Sequence, residues 1–274
     1  MEHVPGPRAA ALVAGLATLA ALLAGGCGSE SAEPPTEVPR QPARVVVPRT
    51  APAVTVATSG AEVRVAVVGG HDVAVARREG TDDWGAAEVV LRLPERTCGG
   101  LGATAAAETV AVTVACDSPY AEDTAPTRSV ALVDGGGAGW SHHDLDGEAF
   151  LPPAVSPSGT HAVWIQGDGL LRWSSDGFEA VEMAGPQAVS VTDDGEIRAA
   201  TVRADPSGYV LVIEGAGAGS VELTLPRRQG GGEAEYDGVS FAGPDRIVVE
   251  TPPGVADARV RRRGGRWVLE GAAG

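Results

Sequence analysis

From residue 54 onward the chain consists of short β-like runs that Gly, Pro and Asp residues separate. Runs such as "EVRVAVVG" (62–69), "TVAVTVAC" (109–116) and "GYVLVIEG" (208–215) have the length and the β-branched content of strands. We find no convincing amphipathic helix after residue 26. The pattern therefore predicts an all-β domain over residues 54–274.

These runs recur in a fixed order. Three segments open alike, at Val155, Val189 and Val239, each with a strand that ends in Val-Ser, a tight turn, a second strand, another turn and a third strand. Two further copies begin near Val56 and Leu101. Five units of about 34–54 residues match the length of β-propeller blades. We therefore predict a β-propeller of about five four-stranded blades, with six blades or a β-sandwich as the alternatives.

A fourth strand closes most of these units, and an aromatic residue often begins it. The aromatic residues at this place are Trp84, Trp140, Phe178 and Trp267. The unit that opens at Val189 departs from the rule, because Ser220-Val221 stands there. Aromatic side chains at equivalent places are expected to pack between neighbouring blades.

The amino terminus has the composition of an export signal. Residues 9–26 are uncharged and mostly Ala, Leu, Val and Gly, and Cys27 follows them at once. The stretch Leu23-Ala24-Gly25-Gly26-Cys27 resembles the lipobox of bacterial lipoproteins, although that family prefers an aliphatic residue where Ala24 stands. The resemblance implies that residues 1–26 are a signal peptide and that Cys27 carries lipid at the outer face of the cell membrane. An uncleaved signal anchor is the alternative.

Residues 27–53 are predicted to form a disordered tether. Residues 28–53 hold six prolines and several acidic residues, and proline-rich segments act as semi-rigid spacers that extend about 3.1 Å per residue. The run Val45-Val46-Val47 is an exception, because it has the composition of an additional edge strand. The predicted order is therefore a signal peptide, a tether and a propeller that begins at residue 54.

Charge and composition limit the partners. The formal net charge is −15, which repels phosphate backbones and argues against nucleic acid as a partner. All 21 basic residues are arginine, and lysine and asparagine are absent, which indicates a GC-rich bacterial genome such as that of an actinobacterium. We expect a monomer whose partners are the membrane, through the lipid on Cys27, and an unidentified protein or glycan ligand.

The other two cysteines are Cys98 and Cys116. In an exported chain two cysteines most simply form a disulfide. The bond would close a loop of about 19 residues and stabilise the fold by about 3 kcal/mol. Two lone cysteines do not suffice for a four-thiolate zinc site, and we predict no metal and no cofactor.

Two polar segments are candidates for binding. "SHHDLDGEAF" (141–150) offers imidazole and carboxylate groups, but neighbouring residues on a strand point to opposite faces, so His142 and His143 do not meet at one ion in a regular strand. We therefore interpret it as a polar outer strand and turn. "RVRRRGGRW" (259–267) is the basic cluster of the chain, either the solvated face of a hairpin or a contact for an anionic cell-wall polymer or lipid headgroup.

Two turns resemble the Asp-box of sialidase-like propellers, "REGTDDWG" (78–85) and "SSDGF" (174–178). That resemblance implies a propeller and raises the alternative of a glycan-active hydrolase, which would need a tyrosine nucleophile. Tyr236 and Glu235 are adjacent, but sequence neighbours are not by that fact a nucleophile and its base. The chain has no Gly-x-Ser-x-Gly, phosphate-loop or His-Glu-x-x-His motif. We therefore expect a non-catalytic binding or scaffold module with no catalytic residues.

Overall fold

The computed structural model describes residues 43–270, apart from 118–128, 138, 148, 150, 168, 184, 207, 216–217, 227–235, 237 and 252–255. The regular elements of these residues are all strands, as the sequence predicts. The predicted signal peptide 1–26, Cys27 and most of the predicted tether lie outside the described residues. In the part that is described, no helix is long and apolar enough to cross a membrane.

The strands form five antiparallel sheets, each made of four strands that are consecutive in the chain. We number these sheets blades 1 to 5. Blade 1 contains β2 (Ala53–Ala57), β3 (Glu62–Val68), β4 (Asp72–Arg78) and β5 (Ala87–Arg92), with β1 (Arg44–Val45) added beside β5. Blade 2 contains β6 (Thr97–Ala106), β7 (Thr109–Asp117), β8 (Val130–Gly135) and β9 (Trp140–Asp144). Blade 3 contains β10 (Ala154–Val155), β11 (Ala162–Gln166), β12 (Gly169–Ser174) and β13 (Gly177–Val181).

Blades 4 and 5 follow the same plan. Blade 4 contains β14 (Ala188–Val191), β15 (Ile197–Asp205), β16 (Gly208–Gly215) and β17 (Ala218–Thr224). Blade 5 contains β18 (Gly238–Phe241), β19 (Arg246–Glu250), β20 (Ala258–Arg263) and β21 (Arg266–Glu270). The first strands of successive blades contact one another, as β2 with β6 and β14 with β18 do, so the first strands are the innermost ones. This is the arrangement of a β-propeller with five blades.

The predicted repeat openings coincide with the innermost strands. Val56 lies in β2, Leu101 in β6, Val155 in β10, Val189 in β14 and Val239 in β18. The sequence repeat is therefore the structural repeat, which confirms the blade assignment. The unit repeats because a single blade leaves the faces of its sheet exposed and buries them only against a neighbouring blade.

Apolar side chains fill the space between successive blades in four separate clusters. The clusters join blade 1 to blade 2, blade 2 to blade 3, blade 3 to blade 4 and blade 4 to blade 5. The second of them contains Trp164, which is 1% exposed and donates from Nε1 to the Val112 carbonyl oxygen of blade 2 over 3.0 Å. Each blade is thus held mainly by its neighbours in the chain.

Blade 1 has a small apolar cluster on the face turned away from blade 2. Ala74, Ala76 and Ala87 are buried there beneath Val45, Val47 and Trp84. Arg44 and Val45 pair with Glu88 and Ala87 in β1, so the described fold begins with this edge strand, ahead of the predicted boundary at residue 54. The physical reason is that this strand covers alanines that no neighbouring blade covers among the described residues.

Aromatic residues begin the outer strand in three of the four predicted places. Trp140 is the first residue of β9, and Phe178 and Trp267 are the second residues of β13 and β21. Trp84 is different, because it lies in the connector before β5, with the Arg78 guanidinium 4.7 Å from its ring. The prediction that Trp84 begins a strand is therefore wrong, because the connector is long enough for its side chain to fold back on the sheet.

Cys98 and Cys116 form the predicted disulfide, with an S–S distance of 2.06 Å. The two residues face each other across β6 and β7. Both are buried in the cluster between blades 1 and 2. The bond thus ties the first strand of blade 2 to its second strand, at the end where the chain enters from blade 1.

Candidate functional site

The innermost strands enclose a cavity of about 520 Å³. Its lining comes mainly from β10, β14 and β18 and from the residues just before and after them, and Thr104 of blade 2 adds to it. The lining residues are Thr104, Leu151, Pro152, Pro153, Ala154, Val155, Pro157, Ile165, Gln187, Ala188, Val189, Ser190, Val191, Val239, Ser240, Phe241, Gly243 and Pro244. The axis of the propeller is therefore the place where four blades can contact one ligand.

The cavity wall is predominantly apolar. The polar side chains in it are Thr104, Gln187, Ser190 and Ser240. Gln187 is occupied, since its Oε1 accepts from the Val202 amide over 3.0 Å and its Nε2 donates to the same residue's carbonyl over 3.4 Å. The Ser240 hydroxyl donates to Glu250 over 3.4 Å.

Ser190 is the buried side chain among these four polar groups. It is 6% exposed, and its hydroxyl has no hydrogen-bond partner among the described residues. Ser156 holds the same place in blade 3, at the end of the innermost strand, and there the hydroxyl accepts from the His161 amide over 3.1 Å. A buried hydroxyl without a partner costs about 1–3 kcal/mol. The unpaired hydroxyl therefore distinguishes blade 4 from blade 3 at this position, and its Oγ is itself almost fully buried.

The neighbour across the sheet does not satisfy Ser190. Arg198 lies directly opposite it on β15, and its side chain is 7% exposed. The guanidinium donates from Nε and Nη2 to the Glu196 carboxylate over 3.2 and 2.8 Å. Its Nη1 donates to the Asp245 carboxylate over 2.8 Å and to the carbonyl oxygen of Pro244. Arg198 is thus committed to the contact between blades 4 and 5.

This ion cluster is electrostatically stable. The hydrogen bond from Arg198 lowers the pKa of Glu196, and the charges of Arg198 and Arg262 act in the same direction. Burial works against the charge of Arg198, but the bonds and charges of Glu196 and Asp245 exceed it and raise the pKa of the guanidinium. Glu196 and Arg198 therefore stay charged at neutral pH, and the cluster is a structural clamp.

Similar links join the first turns of the other blades. The Ser59 amide of blade 1 donates to the Ala107 carbonyl of blade 2 over 2.8 Å. Thr109 donates from its hydroxyl to the Gly159 carbonyl of blade 3 over 2.8 Å. The Ser158 amide of blade 3 donates to the Asp193 carboxylate of blade 4 over 2.7 Å, and this bond, with that from the Ser158 hydroxyl, lowers the pKa of Asp193. These links fix the turn end of the propeller and keep the cavity wall in place.

Residues 141–144 of the polar run lie on the outermost strand of blade 2, β9, and are exposed. His142 and His143 are neighbours on β9, and the His143 ring stacks on Phe178 of blade 3 at a centroid distance of 5.3 Å. Asp144 accepts two bonds from Arg96, over 3.1 and 2.8 Å. Within the described residues, no group of three or more His, Cys, Asp or Glu side chains is placed to hold a metal ion.

Tyr236 lies away from the cavity wall. Its hydroxyl donates to the Pro226 carbonyl over 2.9 Å, and its ring meets the edge of Tyr209 at a centroid distance of 5.1 Å. Burial raises the pKa of Tyr236, and Tyr209 adds to the rise. A raised pKa disfavours the phenolate that a tyrosine nucleophile needs. Glu235 lies outside the described residues.

Both Asp-box-like segments occupy the connection before the last strand of a blade. "SSDGF" spans the turn from β12 to β13, where Gly177 has a φ of 110° and the Asp176 amide donates to the Ser174 hydroxyl over 3.3 Å. "REGTDDWG" spans the connection from β4 to β5. Their position agrees with the resemblance, and turn formation by Gly and Asp accounts for their composition.

Sequence reasoning did not identify the cavity wall or Arg198. One signal was present, since the Val-Ser pair that marks the repeats places a serine at the end of each of the three innermost strands around the cavity. The sequence does not reveal which of these serines lacks a partner, because that depends on residues of the neighbouring strand and blade.

Comparison with known proteins identifies no family. No family model matches the chain, and no curated protein matches it. The similar solved structures include a prolyl endopeptidase with 16% sequence identity. The match covers 80% of this chain and 36% of the endopeptidase, with a TM-score of 0.45. AofleA from Arthrobotrys oligospora has 13% identity over 80% of this chain and 70% of its own, with a TM-score of 0.39. The SapL1 lectin in complex with alpha methyl fucoside has 11% sequence identity. The match covers 80% of this chain and 95% of the lectin, with a TM-score of 0.36. The chain spans about a third of the prolyl endopeptidase, and likeness at this level carries over no activity.

Proposed function

We propose that this protein is a lipid-anchored, extracytoplasmic β-propeller that acts as a non-catalytic binding or scaffold module at the cell envelope. The observation that carries the proposal is the axial cavity of about 520 Å³, whose predominantly apolar wall also contains the polar side chains of Thr104 and Ser240. An apolar cavity with a few placed polar groups is the usual form of a ligand site.

The composition of the wall suggests how a ligand is bound. Valines, prolines and Phe241 surround the space, so an apolar group enters it with a gain of about 25 cal/mol per Å² of apolar surface removed from water. A side chain of a partner protein and the apolar face of a sugar both meet this description, in agreement with the expected protein or glycan ligand.

Membrane attachment through Cys27 is part of the proposal. Its support is the sequence, namely the uncharged run 9–26, the small residues before Cys27 and the proline-rich segment after it. Two or more acyl chains provide a stable anchor where one chain is marginal. The anchor would hold the cavity at the outer face of the membrane.

The cavity is tested with a variant that fills it. Ala154→Phe places a ring into the wall, while Ala57→Phe makes the same change on the innermost strand of blade 1, where Ala57 is exposed and does not line the cavity. An array of methyl glycosides and short peptides with one apolar side chain is applied to the full chain in nonionic detergent. A bound compound at 100 times its Kd stabilises the fold by about 2.7 kcal/mol, read as a rise in Tm.

We expect Ala154→Phe to abolish the rise in Tm and Ala57→Phe to retain it. If no compound raises the Tm of the parent chain, or if both variants lose the effect equally, the cavity is not the binding site. The same preparation is assayed against glycoside substrates. Turnover that disappears when a single carboxylate of the propeller is changed would show an enzyme and overturn the non-catalytic role.

The anchor is tested separately. Cys27→Ala should abolish incorporation of radiolabelled palmitate and move the chain from the membrane fraction to the medium or to an unprocessed form. Ser29→Ala, two residues away, is the matched control and should be labelled normally. Labelling that persists in Cys27→Ala would refute the lipid anchor while leaving the cavity experiment valid.

A further inference from the structure

Blade 5 carries a concentration of arginine on one face of its sheet. Alternate residues of a strand share a face, and residues that pair across strands share it too. By this register the five arginines Arg246, Arg259, Arg261, Arg263 and Arg266 lie on the same side of blade 5, and all five are exposed. We call these five residues the arginine face. They include four of the five arginines of the run 259–267, because Arg262 faces the other way, towards Glu196 and Asp245 of the clamp.

The arginine face is not part of the hydrophobic core. The opposite side of the same strands supplies Ile247, Val249 and Val260 to the cluster shared with blade 4. The four apolar clusters between blades join blades 1 to 5 in chain order, and among the described residues none joins blade 5 to blade 1. On blade 1, Ala53, Thr55 and Ala57 are likewise exposed. Within the part of the chain that the structure describes, the arginine face is therefore an unpartnered sheet face.

The charges on this face are only partly compensated. Glu250 and Glu270 share it, and Glu270 lies directly opposite Arg259 and 3.4 Å from Arg246. Two pairs of arginines face each other directly across strands, Arg246 with Arg261 and Arg263 with Arg266. Like charges at directly opposite positions destabilise a sheet. An anion between such guanidinium groups removes that repulsion, since each group donates two parallel bonds to a phosphate.

We propose that the arginine face binds a linear phosphodiester polymer laid along β20. Arg259, Arg261 and Arg263 are alternate residues of that strand, so they form a row with a spacing of about 6.6 Å. Phosphates that are joined through three-carbon linkers repeat at a similar distance, so three consecutive phosphates meet three guanidinium groups. Arg246 and Arg266 flank the row on the neighbouring strands.

The charge of the whole chain favours a thin polymer over a broad anionic surface. The net charge is −15, so a membrane surface or a nucleic-acid duplex meets repulsion from the rest of the molecule. Screening limits the attraction of the arginine face to about 8–10 Å at physiological salt. A single flexible chain fits within that distance without approaching the acidic surface. The inference does not depend on the lipid anchor or on the axial cavity.

The test uses a fluorescent poly(glycerol phosphate) oligomer and the full chain in nonionic detergent, with binding read by anisotropy. Three phosphate contacts on a single flexible strand predict a slope of log K against log salt of about −2, or roughly a 16-fold loss of affinity between 50 and 200 mM salt. The variant R259Q/R261Q/R263Q should bind at least about tenfold more weakly, with a slope below about 1 in magnitude.

Two further variants separate the proposed contact from net charge. R92Q/R172Q/R203Q removes the same charge from other blades and should bind like the parent chain. R259K/R261K/R263K keeps the charge and loses the guanidinium fork, so it should keep the slope and bind with intermediate affinity. Thermal unfolding checks that each variant is folded.

Three results would overturn the proposal. The first is no anisotropy change for the parent chain at 50 mM salt. The second is an equal loss in the glutamine variant and its charge-matched control. The third is that duplex DNA, or micelles containing phosphatidylglycerol, bind as tightly as the oligomer and lose this binding when the same arginines are changed. That result would identify a broad anionic surface as the partner.

Discussion

Arg198 is the side chain whose loss should weaken the contact between blades 4 and 5 most specifically. Its guanidinium makes two bonds to Glu196, one to Asp245 and one to the carbonyl of Pro244. In Arg198→Met the aliphatic stem is retained, so the core beside it keeps most of its packing, and only the polar contacts are removed. Met also places no new polar group in the interface.

The magnitude follows from the exposure of the partners. A hydrogen bond to a charged group contributes about 1.5–3 kcal/mol, but the side chains of Glu196 and Asp245 are 38% and 59% exposed, so water compensates much of their loss. The Pro244 carbonyl loses its contact to a buried donor. We therefore expect the free energy of unfolding to fall by about 2–3 kcal/mol.

The assay is urea unfolding followed by tryptophan fluorescence, with Arg203→Met as the matched control. Arg203 pairs with Glu222 on blade 4, and both side chains are more than half exposed, so its loss should cost less than about 1 kcal/mol. A midpoint for Arg198→Met that is indistinguishable from that of the parent chain, or equal to that of Arg203→Met, would refute the clamp.

The stability difference between the parent chain and Arg198→Met is expected to depend on pH. Glu196 has a pKa below its ordinary value of 4.5 in the folded state, chiefly because of the hydrogen bond from Arg198. A lowered folded pKa contributes stability that is fully present above the unfolded pKa and is lost as pH falls through the folded value. The difference in unfolding free energy between the parent chain and Arg198→Met should therefore shrink from pH 7 to pH 3. A difference that stays constant would contradict this assignment.

Two further changes test the packing of blade 2. Replacing Cys98 and Cys116 together by Ala should lower the free energy of unfolding by about 3 kcal/mol. Reductant should then have no further effect on the variant. A parent chain that is equally stable with and without reductant would contradict a stabilising disulfide. Gly135→Ala places a Cβ 2.6 Å from the Trp173 ring, and overpacking of this kind costs about 1–3 kcal/mol. Gly99→Ala, where a Cβ meets nothing within 4 Å, should be nearly neutral, and equal melting temperatures for the two variants would refute the close contact.

The sequence repeat predicted the fold because the four strands of each blade are consecutive in the chain. The Val-Ser openings at Val155, Val189 and Val239 each mark an innermost strand, and the partner strands follow within the same repeat. The pairing of Cys98 with Cys116 was predictable for the same reason, since both lie on one hairpin. Trp84 was placed wrongly because the length of its connector, and not the repeat, decides where its side chain packs.

The candidate sites depend on contacts between blades, which the repeat does not encode. Ser156 and Ser190 occupy equivalent positions, and only the geometry of the neighbouring strand and blade leaves the second hydroxyl without a partner. The run 259–267 was recognisable as basic, but strand register decided that Arg262 joins the clamp while Arg261 and Arg263 face solvent.

The sequence by itself determined the all-β class, the openings of the blades and the pairing of two cysteines, because period, turn residues and composition act over short distances along the chain. The tertiary structure alone decided the axial cavity, the unpartnered hydroxyl of Ser190, the Arg198 clamp and the separation of the arginine face from the core. These features arise where strands distant in sequence meet, and the hydrogen bonds and burial that define them exist only after the blades have packed.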